Sequence, residues 1–331
     1  YPFSICEEQK YMPAIIYTTH AGPELGNAFA DVISGKYSPA GRLAQTWYKS
    51  EYELAPIECY DIIENDMTYL YYRGKPLYPF GYGLSYAKFE YSDFDVKENG
   101  DVISVSLDVA NVSETDSDEV VQIYFRMENP SVKRPLRQLV AFARERIEGG
   151  SKRHVKFDIK KSELRFYDVS RERFAVEQGR YTFMAGASSE DIRLTKTIDV
   201  SGEIIPPREL CKGVKAKNYD GKCGAKMKYS KKLEQHYMLG GGLIYNNCVL
   251  GEADSIEIVC GSRVNTGKIT VRYGGETLCE AEVKPTVDVT EFETVTAQFD
   301  KAVLAGIDRE KPAAFELWMP EQIYILGFRT Y

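Results

Sequence analysis

The apolar positions of this chain follow one rule before the stretch Pro76-Leu77-Tyr78-Pro79-Phe80-Gly81-Tyr82-Gly83-Leu84-Ser85-Tyr86 and another after it. Before it, Pro13-Ala14-Ile15-Ile16-Tyr17-Thr18-Thr19 is a continuous apolar run, the pattern of a strand covered on both faces. His20-Ala21-Gly22 then turns into a helix. Pro23 suits its first turn, Leu25, Phe29, Val32 and Ile33 make one apolar stripe, and Gly35 stops it. A strand buried on both faces needs neighbours, and residues up to Tyr72 offer only weak candidates. Residues 1–87 therefore read as the tail of a larger parallel α/β domain, the end of an αβα sandwich whose earlier strands lie outside the chain.

After the stretch, alternation of period two takes over. Ile103, Val105, Leu107 and Val109 interleave with Ser104, Ser106 and Asp108; Val121, Ile123 and Phe125 repeat the pattern, as do Val155, Phe157 and Ile159. With turns at Asn99-Gly100, Gly149-Gly150 and Gln178-Gly179, residues 88–202 predict about seven strands and hence a β-sandwich. Ile205-Pro206-Pro207-Arg208 reads as a stiff linker. Residues 203–331 form a second β-rich unit, with Ile256, Ile258 and Cys260 in one strand, Ile269, Val271 and Tyr273 in another, and Phe315, Leu317 and Met319 in a third. The fold class is mainly β: a partial α/β region followed by two β-sandwich domains. The stretch 76–86 is the joint, since its prolines fix φ, its glycines allow positive φ, and it sets four aromatic rings at defined angles.

At 331 residues the chain has room for two or three domains, and 44% hydrophobic with 27% charged residues is an ordinary globular balance. A net charge of −7 supplies no overall basic field, which argues against nucleic acid and membrane surfaces as partners. No apolar run approaches the ~18 residues of a membrane span. The chain starts at Tyr1 without a leader pattern, so a native start is expected to be missing. Seven widely spaced cysteines without a C-x-x-C pair favour reduced thiols and a cytoplasmic setting, and Cys260 falls in the inward phase of its strand. The three histidines are far apart, so no metal cluster and no cofactor is expected.

Three blocks carry a resemblance. They are Gly22-Pro23-Glu24-Leu25-Gly26-Asn27-Ala28-Phe29-Ala30-Asp31-Val32-Ile33-Ser34-Gly35-Lys36-Tyr37-Ser38-Pro39-Ala40-Gly41-Arg42-Leu43, then Thr68-Tyr69-Leu70-Tyr71-Tyr72, then residues 76–86. In order and spacing they resemble the last part of the second catalytic domain of family-three glycoside hydrolases. Leu25 stands where that family often has glycine and Ala44 where proline is common, while Gln45-Thr46-Trp47-Tyr48 is similar to a bacterial subgroup. Leu136-Arg137-Gln138-Leu139-Val140-Ala141-Phe142, Gly179-Arg180-Tyr181-Thr182-Phe183 and Gly186-Ala187-Ser188-Ser189 resemble the fibronectin-type-III-like domain that follows in many members. Residues 203–331 resemble family-six carbohydrate-binding modules through Ala216-Lys217-Asn218-Tyr219, Gly242-Leu243-Ile244-Tyr245-Asn246-Asn247, Gly267-Lys268-Ile269-Thr270-Val271-Arg272, Val287-Asp288-Val289-Thr290-Glu291-Phe292 and Tyr324-Ile325-Leu326-Gly327-Phe328.

These resemblances imply the C-terminal portion of an exo-acting retaining β-glycosidase, a β-glucosidase or β-xylosidase. Such enzymes hold two carboxyl groups across the scissile bond. The family's aspartate nucleophile comes from a preceding barrel and its acid/base glutamate from an earlier part of the α/β domain, so no catalytic residue is expected within this chain. Asp61, Glu64 and Asp66 read as a solvated loop. His20 and Glu24, at a strand's carboxyl end beside a helix amino terminus, are candidates to line the parent's site. In the last module the resemblance implies an aromatic pair that stacks a sugar, with Phe292 as one member and Tyr237 or Tyr245 as the other, and Gln322 where an asparagine is usual. Lys217 replaces the glutamate that helps hold a structural calcium ion, so no metal is expected. The implied partners are the barrel-bearing part of the same polypeptide and an oligo- or polysaccharide ligand. The competing readings are a non-catalytic carbohydrate-binding protein and a structural subunit that completes a separate catalytic chain.

Overall fold

A computed structural model describes residues 2–19, 22–57, 59–286 and 291–331. Contacts divide the chain into two compact units, Tyr1–Phe166 with Ala175–Glu203, and Tyr167–Phe174 with Ile204–Tyr331.

In the first unit, residues 13–19 join no strand ladder, and Ile15, Ile16 and Tyr17 are exposed. A ladder needs neighbouring strands to take up backbone N–H and C=O groups. Helix α1 (Leu25–Ile33) forms where the apolar stripe places it, yet it buries no residue fully, and Ile33 is 68% exposed. Its end is tied down by the Tyr86 hydroxyl, which donates to the Val32 carbonyl at 2.7 Å. A small aromatic core gathers on Trp47, which is 4% exposed and meets Phe3, Tyr17 and Tyr78 edge-on with ring centroids at 5.9, 5.1 and 5.8 Å. A single helical turn, α2 (Thr68–Tyr71), completes this region.

The sandwich follows. Strands β1 (Phe89–Asn99) and β2 (Val102–Asn111) join through a two-residue turn, with Gly100 at φ 64°. Strands β3 (Ser117–Met127), β4 (Gln138–Ile147) and β5 (Lys152–Lys160) come next; a short hairpin of β6 (Phe166–Asp168) and β7 (Arg173–Ala175) then follows in the chain, a two-stranded sheet whose residues 167–174 group with the second unit. Strands β8 (Gly179–Gly186) and β9 (Ile192–Val200) close the first unit. One sheet has the order β1-β2-β5 and the other β4-β3-β8-β9, and every pair is antiparallel. The residues read as inward do face inward: Ile103, Leu107, Val109, Val121 and Ile123 are wholly buried in one core between the sheets, where Phe183 joins them. Each such side chain contributes about 1.5–3 kcal/mol by leaving water.

The second unit is built on two long strands. Short pieces β10 (Arg208–Glu209), β11 (Val214–Lys215), β12 (Gly221–Cys223) and β13 (Lys226–Ser230) lead into β14 (Gln235–Val249). Then come β15 (Ser255–Ser262), β16 (Gly267–Tyr273), β17 (Glu276–Val283), β18 (Glu293–Gln298), helix α3 (Lys301–Gly306) and β19 (Ala313–Thr330). The main path is β10-β14-β19-β15-β18, with β12 and β13 on β14, and β11 and β16 on β19. Strand β19 folds back on itself. Phe315 and Phe328 are thirteen residues apart, roughly 40 Å in a straight strand, yet their rings stack at 5.1 Å. The bend falls at residues 320–323 opposite Gly240-Gly241, where the β14–β19 register shifts. Gly240 (φ 59°) and Gly241 (φ 73°) are required there, since a Cβ would meet Glu321 Cα at 2.8 Å and the Ala225 nitrogen at 2.3 Å. The folded ribbon encloses Tyr245, Ile256, Ile258, Cys260, Val271, Leu317 and other wholly buried side chains.

Candidate functional site

The three blocks that carry the glycosidase resemblance meet at the joint. Gly81 N donates to Leu43 O at 2.7 Å and Leu43 N to Tyr82 O at 2.8 Å, so residues 41–43 and 81–83 lie back to back. From the second block, Tyr69 stacks on Phe80 with centroids 4.1 Å apart. The sandwich then holds the loop. Gln122 donates its amide to Gly81 O at 3.1 Å and Ala187 O at 2.6 Å while accepting from the Tyr124 hydroxyl at 2.6 Å. Arg42 pairs with Glu119 at 2.8 Å, and the Tyr91 hydroxyl donates to the other oxygen of Glu119 at 2.7 Å. Burial raises the Tyr91 phenol above its ordinary range, with the Glu119 carboxylate adding to the effect. This arrangement fixes the position of the joint against the sandwich.

The acidic candidates of the first unit are occupied locally. Glu24 is exposed at the start of α1 and accepts from Asn27 Nδ2 at 2.5 Å; its neighbour His20 lies outside the described residues. Asp61 accepts from the Ile63 and Glu64 amides at 3.1 and 2.9 Å, closing a turn. Asp66 pairs with Lys133 at 2.7 Å.

In the second unit the structure brings Tyr237 and Phe292 together at 6.0 Å and 71°, and adds Tyr324, which is edge-on to both at 5.8 and 5.0 Å. Tyr237 is 7% exposed and Tyr324 wholly buried, so of these rings only Phe292, half-buried, keeps an accessible face. The Tyr324 hydroxyl donates to Glu291 O at 2.9 Å and shares a 2.5 Å hydrogen bond with Thr286 Oγ1. Gln322 lies in the β19 bend two residues from Tyr324, its backbone oxygen accepting from Arg263 N at 3.1 Å. Tyr245 is a correction. It is wholly buried, donates to Ala216 O at 2.9 Å and packs edge-on to Phe328, so it is a core residue without a face for a sugar.

Around Lys217 the unit is rich in cations. A concavity of about 380 Å³ is lined by Arg208, Lys212, Lys215, Glu172 and Asn218 among others. Lys215 reaches both Glu172 oxygens at 2.8 Å and Asn218 Nδ2 donates to one at 3.1 Å, which with Lys217 nearby holds the Glu172 carboxyl below its ordinary range. Glu172 is thus already matched by ammonium and amide donors, a poor arrangement for a hard cation. Deeper, Arg208 pairs with Asp220 at 3.2 Å and donates to Asn218 O at 2.7 Å. Burial still raises the Asp220 carboxyl, and Arg208 only partly offsets it. Absent from the sequence-based candidates are Tyr229, 53% exposed, and His236, whose rings face each other across β13 and β14 at 5.1 Å. A signal existed in the alternating Lys-Met-Lys-Tyr run at residues 226–229.

Residues 2–86 match the glycosyl hydrolase family 3 C-terminal domain, and residues 119–189 match the fibronectin type III-like domain. Thermostable beta-glucosidase B of Acetivibrio thermocellus is 36% identical over 200 residues, 55% of this chain and 26% of that protein. Xylan 1,4-beta-xylosidase of Xylanibacter ruminicola is 33% identical over 192 residues, 57% of this chain and 22% of that protein. The crystal structure of a beta-glucosidase from Bifidobacterium adolescentis matches with a TM-score of 0.52 at 30% identity, covering 55% of this chain and 29% of that one. The chain spans about a quarter of the length of the curated relatives it matches. Residues 2–86 thus carry a stretch similar to the C-terminal domain of family 3 glycosyl hydrolases, and residues 119–189 one similar to the fibronectin type III-like domain.

Proposed function

We propose that this chain is the C-terminal portion of an exo-acting retaining β-glycosidase that removes terminal β-linked glucose or xylose. The observation that carries this reading is the alignment with β-glucosidases and a β-xylosidase over more than half the chain at 31–36% identity. Retaining hydrolysis needs a nucleophile and an acid/base at a fixed separation on rigid elements. The acidic residues of 1–87 described above are engaged in a turn, a helix start and an ion pair. Both catalytic carboxyls therefore come from a barrel-bearing part of the same polypeptide, the partner of this chain. Its role is scaffold: it completes the α/β domain and locks that domain to the sandwich through Gln122 and Glu119. The three-domain division at residues 87 and 202 belongs to this reading, as does a cytoplasmic setting, which rests on seven free cysteines.

The last unit is read as a family-six-like carbohydrate-binding module. Phe292 supplies its accessible aromatic face, backed edge-on by buried Tyr237, and Gln322 a polar edge. Assays of aryl β-glucosides and β-xylosides test the reading: the complete polypeptide should turn them over with retention of configuration, and residues 1–331 alone should not. Turnover by this chain that disappears on replacing an Asp or Glu within residues 1–87 would overturn it.

A further inference from the structure

The overall charge of −7 conceals a strong local field. Between residues 212 and 232 the sequence carries eight lysines and one aspartate, although residues 204–331 as a whole hold seventeen basic and seventeen acidic side chains. Lys212 and Lys215 are paired, with Glu209 and Glu172. Lys226, Lys228, Lys231 and Lys232 are all exposed, and among the described residues no carboxylate pairs with any of them. They crowd onto one hairpin. Strand β13 pairs with β14 from Lys226↔Leu239 to Ser230↔Gln235, and its other edge carries no strand among the described residues. The turn is fixed by Ser230 Oγ, which accepts from Leu233 N at 3.3 Å, and by Glu234 in the left-handed region at φ 51°.

Alternation puts Lys226 and Lys228, roughly 7 Å apart, on one face of the hairpin, and Met227 and Tyr229 on the other. Tyr229 stands over His236 and remains about half exposed. A polymer lying along the free edge would meet the ammonium groups of Lys226 and Lys228 from one face and the open Tyr229 ring from the other. Ammonium groups recognise carboxylates, and a tyrosine face accepts the C–H face of a sugar ring. We propose that the β13–β14 hairpin is a docking edge for an acidic polysaccharide, a glycan bearing uronic-acid carboxylates. This rests on the carbohydrate-binding reading of the last unit, and it names the ligand class. Widely spaced carboxylates suit a short cationic edge on an otherwise acidic chain, whereas a nucleic acid's dense phosphate charge would be repelled by the remainder.

The test measures affinity of the complete polypeptide for glucuronate-bearing xylan and for the same xylan with its carboxyls reduced to alcohols. The acidic xylan should bind about tenfold tighter, and raising the salt to about 0.5 M should remove most of that advantage. Replacing Lys226, Lys228, Lys231 and Lys232 with Gln should remove it too, with an unchanged melting temperature, while Gln at the exposed Lys156, Lys160, Lys301 and Lys311 should not. Equal binding to both xylans would overturn the proposal and leave carbohydrate binding by the unit intact. Binding to neither xylan would overturn both. Tighter binding to oligothymidylate or phosphatidylserine vesicles would assign the edge to another polyanion and so also overturn it.

Discussion

Glu119 shows what a single residue does here. Its side chain is 2% exposed, yet it sits opposite Arg42, itself 9% exposed, with the Tyr91 hydroxyl on its other oxygen and Arg193 at 3.8 Å. A buried ion pair gives little net stability over an apolar pair, but removing one partner strands the other charge out of water. Arg42→Ala should therefore destabilise the first unit by about 3 kcal/mol, read from urea unfolding; a loss under about 1 kcal/mol would show that Arg193 and Tyr91 already satisfy Glu119. Arg42 was legible as part of a motif, but its partner lies 77 residues further on. Nothing local in the sequence announces such a pairing. The same holds for Tyr245, whose aromatic ring was equally consistent with a ligand face or the core until the fold buried it.

At the scale of elements, alternation read the sandwich strands well because each has one wet and one dry face, and period two reports that directly. The second unit was harder to read, since β14 and β19 bend midway and serve both sides of the fold, so one strand's phase reverses along its own length. Buried Tyr237 and wholly buried Tyr324 form a small aromatic cluster of their own with Leu239. The joint was legible as a rigid loop from its prolines and glycines, and the structure supplies the reason for one glycine. Gly81 holds φ 80°, and a Cβ there would lie 2.0 Å from Gln122 Oε1, an amide already fixed by three hydrogen bonds. Gly81→Ala should lower stability by about 2 kcal/mol or more, from left-handed strain together with displacement of Gln122. Gly100→Ala, also at positive φ but with open space around it, is the control. Equal losses for the two variants would mean that the Gln122 contact contributes nothing.

For the molecule as a whole, the question is how evenly the chain is held together. The two cores are continuous, whereas residues 2–35 are held by Trp47's aromatic contacts, the anchored end of α1 and a few hydrogen bonds, among them Tyr78 hydroxyl to Gln9 at 3.0 Å and Cys6 Sγ to Lys49 O at 3.3 Å. Ile15, Ile16, Leu25 and Ile33 are exposed, and nine residues is too short for a helix to persist in water without a packed face. An apolar patch of this kind marks a surface meant to be covered, and the proposed cover is the preceding part of the α/β domain. Local opening energies should follow this division. In hydrogen exchange on residues 1–331, amides of 13–35 should exchange within seconds to minutes, while those of β2 and β3 should persist for the lifetime of the folded unit. In the complete polypeptide the 13–35 amides should become protected as well. Slow exchange at 13–35 in the isolated chain, shown to be monomeric, would mean that these residues have a packed face of their own, and the scaffold role proposed for them would fall.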